Sequence, residues 1–137
     1  MRVVADTNVM VSALLWEGLP HRLLIAAETG RMVLYTSLHL VEELAGVLAR
    51  PKLAAKLRER QTTTEELIIG YLKLAHLIVP ETITPVIKED PDDDAVLACA
   101  LAARVAFVVT GDQHLLRLKS YHRIQMVSPK TLLSTLF

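Results

Sequence analysis

Short β-branched apolar runs alternate along this chain with longer stretches whose apolar residues recur at helical spacing, which predicts strands alternating with helices. β-branched runs mark strands at about 2–5, at Met32-Val33-Leu34-Tyr35-Thr36, at 106–109 and at Ile124-Gln125-Met126-Val127. Helical patterns cover about 8–15, the stretch from Gly18-Leu19-Pro20 to about Glu28, and the stretch from the N-capping Ser37 to about Ala49. A charged helix is expected after Pro51, and another from a cap at Thr64 to about Leu77. Further helices are expected over about 91–103, after Asp112 and from Ser128, with Pro80 and Pro85 bracketing a loop or edge segment. This alternation predicts the α/β class: a three-layer α/β/α sandwich around a central, mainly parallel sheet. A chain of 137 residues fits one domain, 1–137, with a core of its own.

Two of the predicted strands end in an acid. Asp6 closes the run Arg2-Val3-Val4-Ala5, and Asp112 follows Phe107-Val108-Val109-Thr110-Gly111. If both strands are parallel, both carboxylates emerge at the carboxyl edge of the sheet, where open α/β sheets bind ligands. Like charges brought together there need a cation or a proton to be tolerated.

Composition narrows this picture modestly. Apolar residues are 52% and charged residues 22%, which marks a globular chain. The formal net charge is zero, so overall basicity gives no argument for nucleic acid. The charge is nevertheless segregated. Arg50, Lys52, Lys56, Arg58 and Arg60 face only Glu59 in one stretch, and Glu81, Glu89, Asp90, Asp92, Asp93 and Asp94 face only Lys88 in another. The lone Cys99 excludes an internal disulfide and a cysteine-cluster zinc site, and reads as a small core residue. His21, His39, His76, His114 and His122 show no zinc-site spacing, and neither a Gly-rich phosphate loop nor a Gly-x-Ser-x-Gly elbow is present. No signal peptide and no apolar run of membrane-spanning length is seen, so a cytoplasmic protein without a membrane segment is expected.

Helical phase selects among the acids. Leu40, Val41, Leu44, Val47 and Leu48 form one stripe; Glu43 borders it, whereas Glu42 points the other way. Asp93 shares a face with Leu97 and Ala100 of a helix that is apolar nearly all round, so it is expected to point inward. Each acid also has an ordinary reading. Asp6, Asp90 and Asp112 are apt helix caps, and Glu43 fits a boundary position. Four segments that each offer an inward carboxylate exceed what capping requires. Divalent-metal catalysis uses such a set: Mg²⁺ and Mn²⁺ take oxygen ligands, and two ions about 3.5–4 Å apart can activate water and stabilise a leaving oxygen.

The quoted motifs, taken together, resemble a PIN domain. They are Val4-Ala5-Asp6-Thr7-Asn8-Val9 with Ser12, Ser37 with Glu43-Leu44 and Val47-Leu48, Asp90-Pro91-Asp92-Asp93, and Val109-Thr110-Gly111-Asp112, in the family's order over nearly the whole chain. Arg50-Pro51-Lys52 and Asp90-x-Asp92-Asp93 look closest to a bacterial and archaeal branch described as toxins of toxin–antitoxin pairs, related to the virulence-associated-protein-C ribonucleases. The resemblance implies a metal-dependent endoribonuclease that hydrolyses RNA phosphodiester bonds with Mg²⁺ or Mn²⁺. It carries the catalytic acids onto Asp6, Glu43, Asp93 and Asp112. It makes Asp6, Asp93 and Asp112 metal ligands, with Asp90 a further outer one, and Asn8, Ser12 and Thr110 supporting polar residues. Asp94-Ala95 also fits the toxin pattern, which leaves Asp93 and Asp94 as alternatives for the third acid.

RNA would meet the Arg50–Arg60 stretch and the group Arg117, Lys119, His122 and Arg123. The family also implies a homodimer and a small antitoxin partner. Leu53, Leu57, Leu67, Ile68, Leu72 and Leu74 could serve such an interface, or could equally be internal core. Two other readings remain open from the residues. One is a receiver-like or phosphatase-like α/β domain with Asp6 as phosphoryl acceptor, which would also want a Lys after a late strand; Thr110-Gly111-Asp112 stands there instead. The other is a non-catalytic RNA- or protein-binding module on the same fold.

Overall fold

All four predicted strands form in the computed structural model, which describes residues 1–87 and 90–137; Lys88 and Glu89 of the acidic stretch lie outside the described residues. The sheet comprises β1 (Arg2–Ala5), β2 (Val33–Thr36), β3 (His76–Leu77), β4 (Phe107–Val109), β5 (Ser120–Tyr121) and β6 (Ile124–Val127), in the order β3-β2-β1-β4-β6-β5. Every pairing is parallel except β5 with β6. The helices are α1 (Thr7–Leu15), α2 (Leu19–Glu28), α3 (Leu38–Leu48), α4 (Ala54–Glu59), α5 (Thr64–Leu74), α6 (Pro91–Ala103), α7 (Gln113–Leu118) and α8 (Pro129–Leu136). A 3₁₀ turn over Pro51–Leu53 leads into α4.

Period-two alternation divides the core. Val3, Ala5, Leu34, Val109 and Val127 face one layer, packed with residues of α1, α2, α3, α5 and α8. Val4, Val108, Ile124 and Met126 face the other, packed chiefly with α6 and α7. The largest of these side chains are almost fully buried, and each such Val or Leu stabilises the fold by roughly 1.5–3 kcal/mol. Cys99 is core, and burial pushes its thiol up to about 11, so it is an unreactive filler. Gly30 closes α2 with φ +80, a left-handed conformation that glycine adopts without a Cβ clash.

The structure corrects the sequence reading at three places. Thr63, not Thr64, caps α5: its hydroxyl accepts the Glu66 N–H at 3.1 Å, and its extended backbone supplies the cap geometry. The helix expected to reach Leu77 stops at Leu74. Ala75 turns extended, and the next two residues pair Tyr35↔His76 and Thr36↔Leu77 along the free edge of β2. β5 was also unforeseen. Two-residue strands carry no readable period, and only their partner's open edge specifies them. Of the six apolar residues considered for an interface, Leu53 is buried and Leu57, Leu67, Ile68 and Leu74 pack on the core, which leaves Leu72 outside. Among the described residues no single helix is long and apolar enough to cross a membrane.

Candidate metal centre

Adjacent parallel strands bring the first two acids together. β1 and β4 pair with Ala5 opposite Val109, so Asp6 and Thr110 leave the sheet side by side at its carboxyl edge. Asp6 Oδ1 accepts the Val9 N–H at 2.9 Å and caps α1, while Oδ2 accepts the Thr110 hydroxyl. Thr110 is fully buried, and its Oγ1 in turn accepts the Asp112 N–H at 2.9 Å. One hydroxyl therefore ties both strand-end acids to a single geometry. Asp112 caps α7, its Oδ1 accepting the N–H groups of His114 at 2.7 Å and Leu115 at 3.3 Å.

The third segment arrives from α6. Asp90 caps that helix by accepting the Asp92 N–H at 2.9 Å. Asp93 and Asp94 then part company. Asp94 Oδ1 accepts the N–H groups of Val86 and Ile87, each at 2.9 Å, and straps the preceding loop. Asp93 turns into the cleft, only 6% exposed, and its Oδ2 is buried with no hydrogen-bond partner among the described residues. Glu43 comes from α3, half-buried and held by the Thr7 hydroxyl, while Glu42 is exposed, as the helical phase requires.

These groups line an open cleft of about 450 Å³, walled by Asp6, Glu43, Asp90, Asp93 and Asp112 together with Thr7, Asn8, Arg50 and Asp92. Asn8 therefore reaches the cleft and Thr110 supports it from beneath. Ser12, one turn further along α1, is not among the residues that line it. The basic groups divide as well. Arg50 stands on the cleft wall, but His122 and Arg123 precede β6, which runs parallel to β4, so they lie at the opposite edge of the sheet from Asp112.

Electrostatics record the crowding. Burial, followed by the charges of Asp112 and Asp90, pushes the Asp93 carboxyl up to about 7. Burial also raises Asp6, opposed by the Thr110 and Val9 hydrogen bonds. Glu43 is raised by burial and by the neighbouring Asp92 carboxylate. Asp92 is lowered by the same contact and by His39, whose Nε2 lies 3.0 Å from its Oδ1.

Three neighbours escaped the sequence reading. Thr7 adjoins Asp6, and His39 sits one turn before Glu43 on α3, which is a spacing that could have flagged it. His114 follows Asp112 by two residues, a signal too weak to read without the fold.

The donor set suits a hard divalent cation. An orphaned, buried carboxylate oxygen faces further carboxylates, and one ligand atom from each of Asp93, Asp112 and His114 lies within 4.8 Å of the others. Among the described residues no lysine lines the cleft, and both Asp6 oxygens accept hydrogen bonds, an arrangement unlike an exposed phosphoryl acceptor.

Comparison with known proteins agrees with this reading of the geometry. Residues 2–114 match the PIN domain family. The chain is also similar to an uncharacterised protein of Methanocaldococcus jannaschii, 28% identical over 124 residues, which is 90% of this chain and 78% of that protein. PIN domains are generally nucleases that use divalent metals, and an acidic cluster that could bind one stands at the sheet edge here. A matching α/β fold and a family match over most of its length together establish that this chain belongs to the PIN domain family.

Proposed function

We propose that the protein is a metal-dependent endoribonuclease and the toxin of a toxin–antitoxin pair. The observation that carries the reading is Asp93: a buried carboxylate with an orphaned oxygen, beside Asp112 and Asp6, in a cleft open to substrate. Asp6, Asp93 and Asp112 would hold Mg²⁺ or Mn²⁺, with Asp90 as an outer ligand. Such an ion would polarise the scissile phosphate and activate water. The chain's own residues do the rest. Thr110 keeps Asp6 and Asp112 in register, and the helices α1, α6 and α7 point their N-termini at the cleft, which partly offsets its negative charge. Glu43, its carboxyl raised by burial and by its contact with Asp92, stands on the cleft wall beside the substrate path. Arg50 offers a phosphate contact, and Asn8 a polar one.

RNA as the substrate, a cytoplasmic location and the toxin role are supported by the resemblance of Arg50-Pro51-Lys52 and Asp90-x-Asp92-Asp93 to the toxin branch. A homodimer and a small antitoxin belong to the same proposal. An apolar groove of about 320 Å³ between α2 and α5, lined by Leu24, Leu67 and Tyr71, supports a binding face. Light scattering at micromolar concentration should give a dimer mass; a monomer removes the dimer from the proposal.

The deciding assay is cleavage of single-stranded and structured RNA with Mg²⁺ or Mn²⁺, against the same reaction in EDTA. Metal-dependent cleavage is expected, and cleavage that persists in EDTA would sink the reading. Glu43→Gln should slow cleavage about tenfold or more, whereas Glu42→Gln, exposed on the far side of α3, should stay within about twofold of wild type.

A further inference from the structure

His114 lies in the first turn of α7, half-exposed, where the chain offers no histidine spacing that announces a metal site. The fold nevertheless places a ring nitrogen of His114 within 4.8 Å of ligand atoms from Asp93 and Asp112. The ring is not committed elsewhere by the capping carboxylate: its Nδ1 is 3.6 Å from Asp112 Oδ1, too long for a hydrogen bond. That Oδ1 already accepts two backbone N–H groups, which leaves the other Asp112 oxygen for an ion. Opposite stands the buried, unpartnered Oδ2 of Asp93.

We propose that His114 is a direct ligand of the divalent ion, completing a set of two carboxylates and one imidazole with Asp93 and Asp112, and that it tilts the site from Mg²⁺ toward Mn²⁺. The proposal rests on the reading that this cleft holds a divalent ion. Mg²⁺ favours all-oxygen ligation and parts with its waters reluctantly. Mn²⁺ shares the preference of Mg²⁺ for carboxylate oxygen, but as a transition-metal ion it tolerates an imidazole nitrogen in its ligand set better than Mg²⁺ does. A site built from Asp6, Asp90, Asp93 and Asp112 alone has no nitrogen donor and no such tilt. The helix fixes the backbone of His114 through the cap at Asp112, so the ring needs only a side-chain rotation to meet an ion held by its neighbours.

The test uses the full chain loaded with Mn²⁺ and examined by pulsed electron paramagnetic resonance, together with calorimetric affinities for Mn²⁺ and Mg²⁺ in wild type, His114→Ala and Asp93→Asn. Expected are a directly bonded ¹⁴N coupling in wild type, its loss in His114→Ala, and a fall of about tenfold in the Mn²⁺-over-Mg²⁺ preference. Mn²⁺ binding that requires Asp93 but shows no nitrogen coupling, or an unchanged preference in His114→Ala, overturns the His114 assignment and leaves the metal site standing. Absence of Mn²⁺ binding in wild type overturns both. The wild-type coupling is read without any substitution, so the outcome does not depend on how the variants fold.

Discussion

Asp93→Asn is expected to slow RNA cleavage by about a hundredfold or more and, in metal-free protein at neutral pH, to raise the melting temperature. The two effects have one cause. Asp93 is buried against Asp112, Asp90 and Asp6, and its Oδ2 has no partner among the described residues, so a charge that would serve an ion costs the metal-free fold stability. Asparagine keeps the volume, removes the charge and can donate its amide to a neighbouring carboxylate. Relief of about 1–2 kcal/mol corresponds to roughly 4 °C per kcal/mol in a domain of this size.

The pH dependence follows from the same group. An Asp carboxyl ionises near 3.8 when unperturbed, and folding moves Asp93 to about 7. Between those values the native state holds a proton that the unfolded chain has released. The Asp93 contribution to the stability of the metal-free protein is therefore greatest below about pH 4 and is lost as pH rises toward and through 7. Asp6 and Glu43, also raised, act in the same direction, and the lowered Asp92 acts against them. Thermal melts in EDTA at pH 5 and pH 7.5 should show this decline in wild type and a shallower one in Asp93→Asn. A variant that melts below wild type at both values would show that Asp93 is not under strain.

Thr110→Val is expected to destabilise the protein by about 2–3 kcal/mol and to weaken Mn²⁺ binding about tenfold or more. The substitution is nearly isosteric at a fully buried position, so it opens no cavity. It removes the hydroxyl that donates to Asp6 and accepts from the Asp112 N–H, and leaves both groups without that partner. Thr110→Ser keeps the hydroxyl and loses one methyl, at a cost of about 1 kcal/mol. Denaturant unfolding and calorimetry separate the two: equal loss of metal affinity in Val and Ser variants would show that packing, and not the hydroxyl bridge, positions the acids.

The sequence by itself determined what rests on periodicity and local chemistry. Short β-branched runs marked the strands at 2–5, 32–36, 106–109 and 124–127 before any partner was known, and Ser37 announced the start of α3. Helical phase separated Glu43 from Glu42, because the facing of a residue in a long amphipathic helix is set by its own neighbours. Membership in the PIN domain family was legible in the order of the acidic motifs, since each motif sits at a strand or helix end that local signals mark. Tertiary structure alone decided the rest. β3 exists only because β2 has an open edge, and its two residues carry no pattern of their own. Helical phase pointed Asp93 inward while the motif pattern also fitted Asp94; the two part because the backbone N–H groups of Val86 and Ile87 capture Asp94, which leaves Asp93 facing the cleft. The approach of His114 to Asp93, and the placing of His122 and Arg123 at the far edge, depend on how β4, β6 and α6 pack. Those distances join residues far apart in the chain, and local propensity carries no information about them.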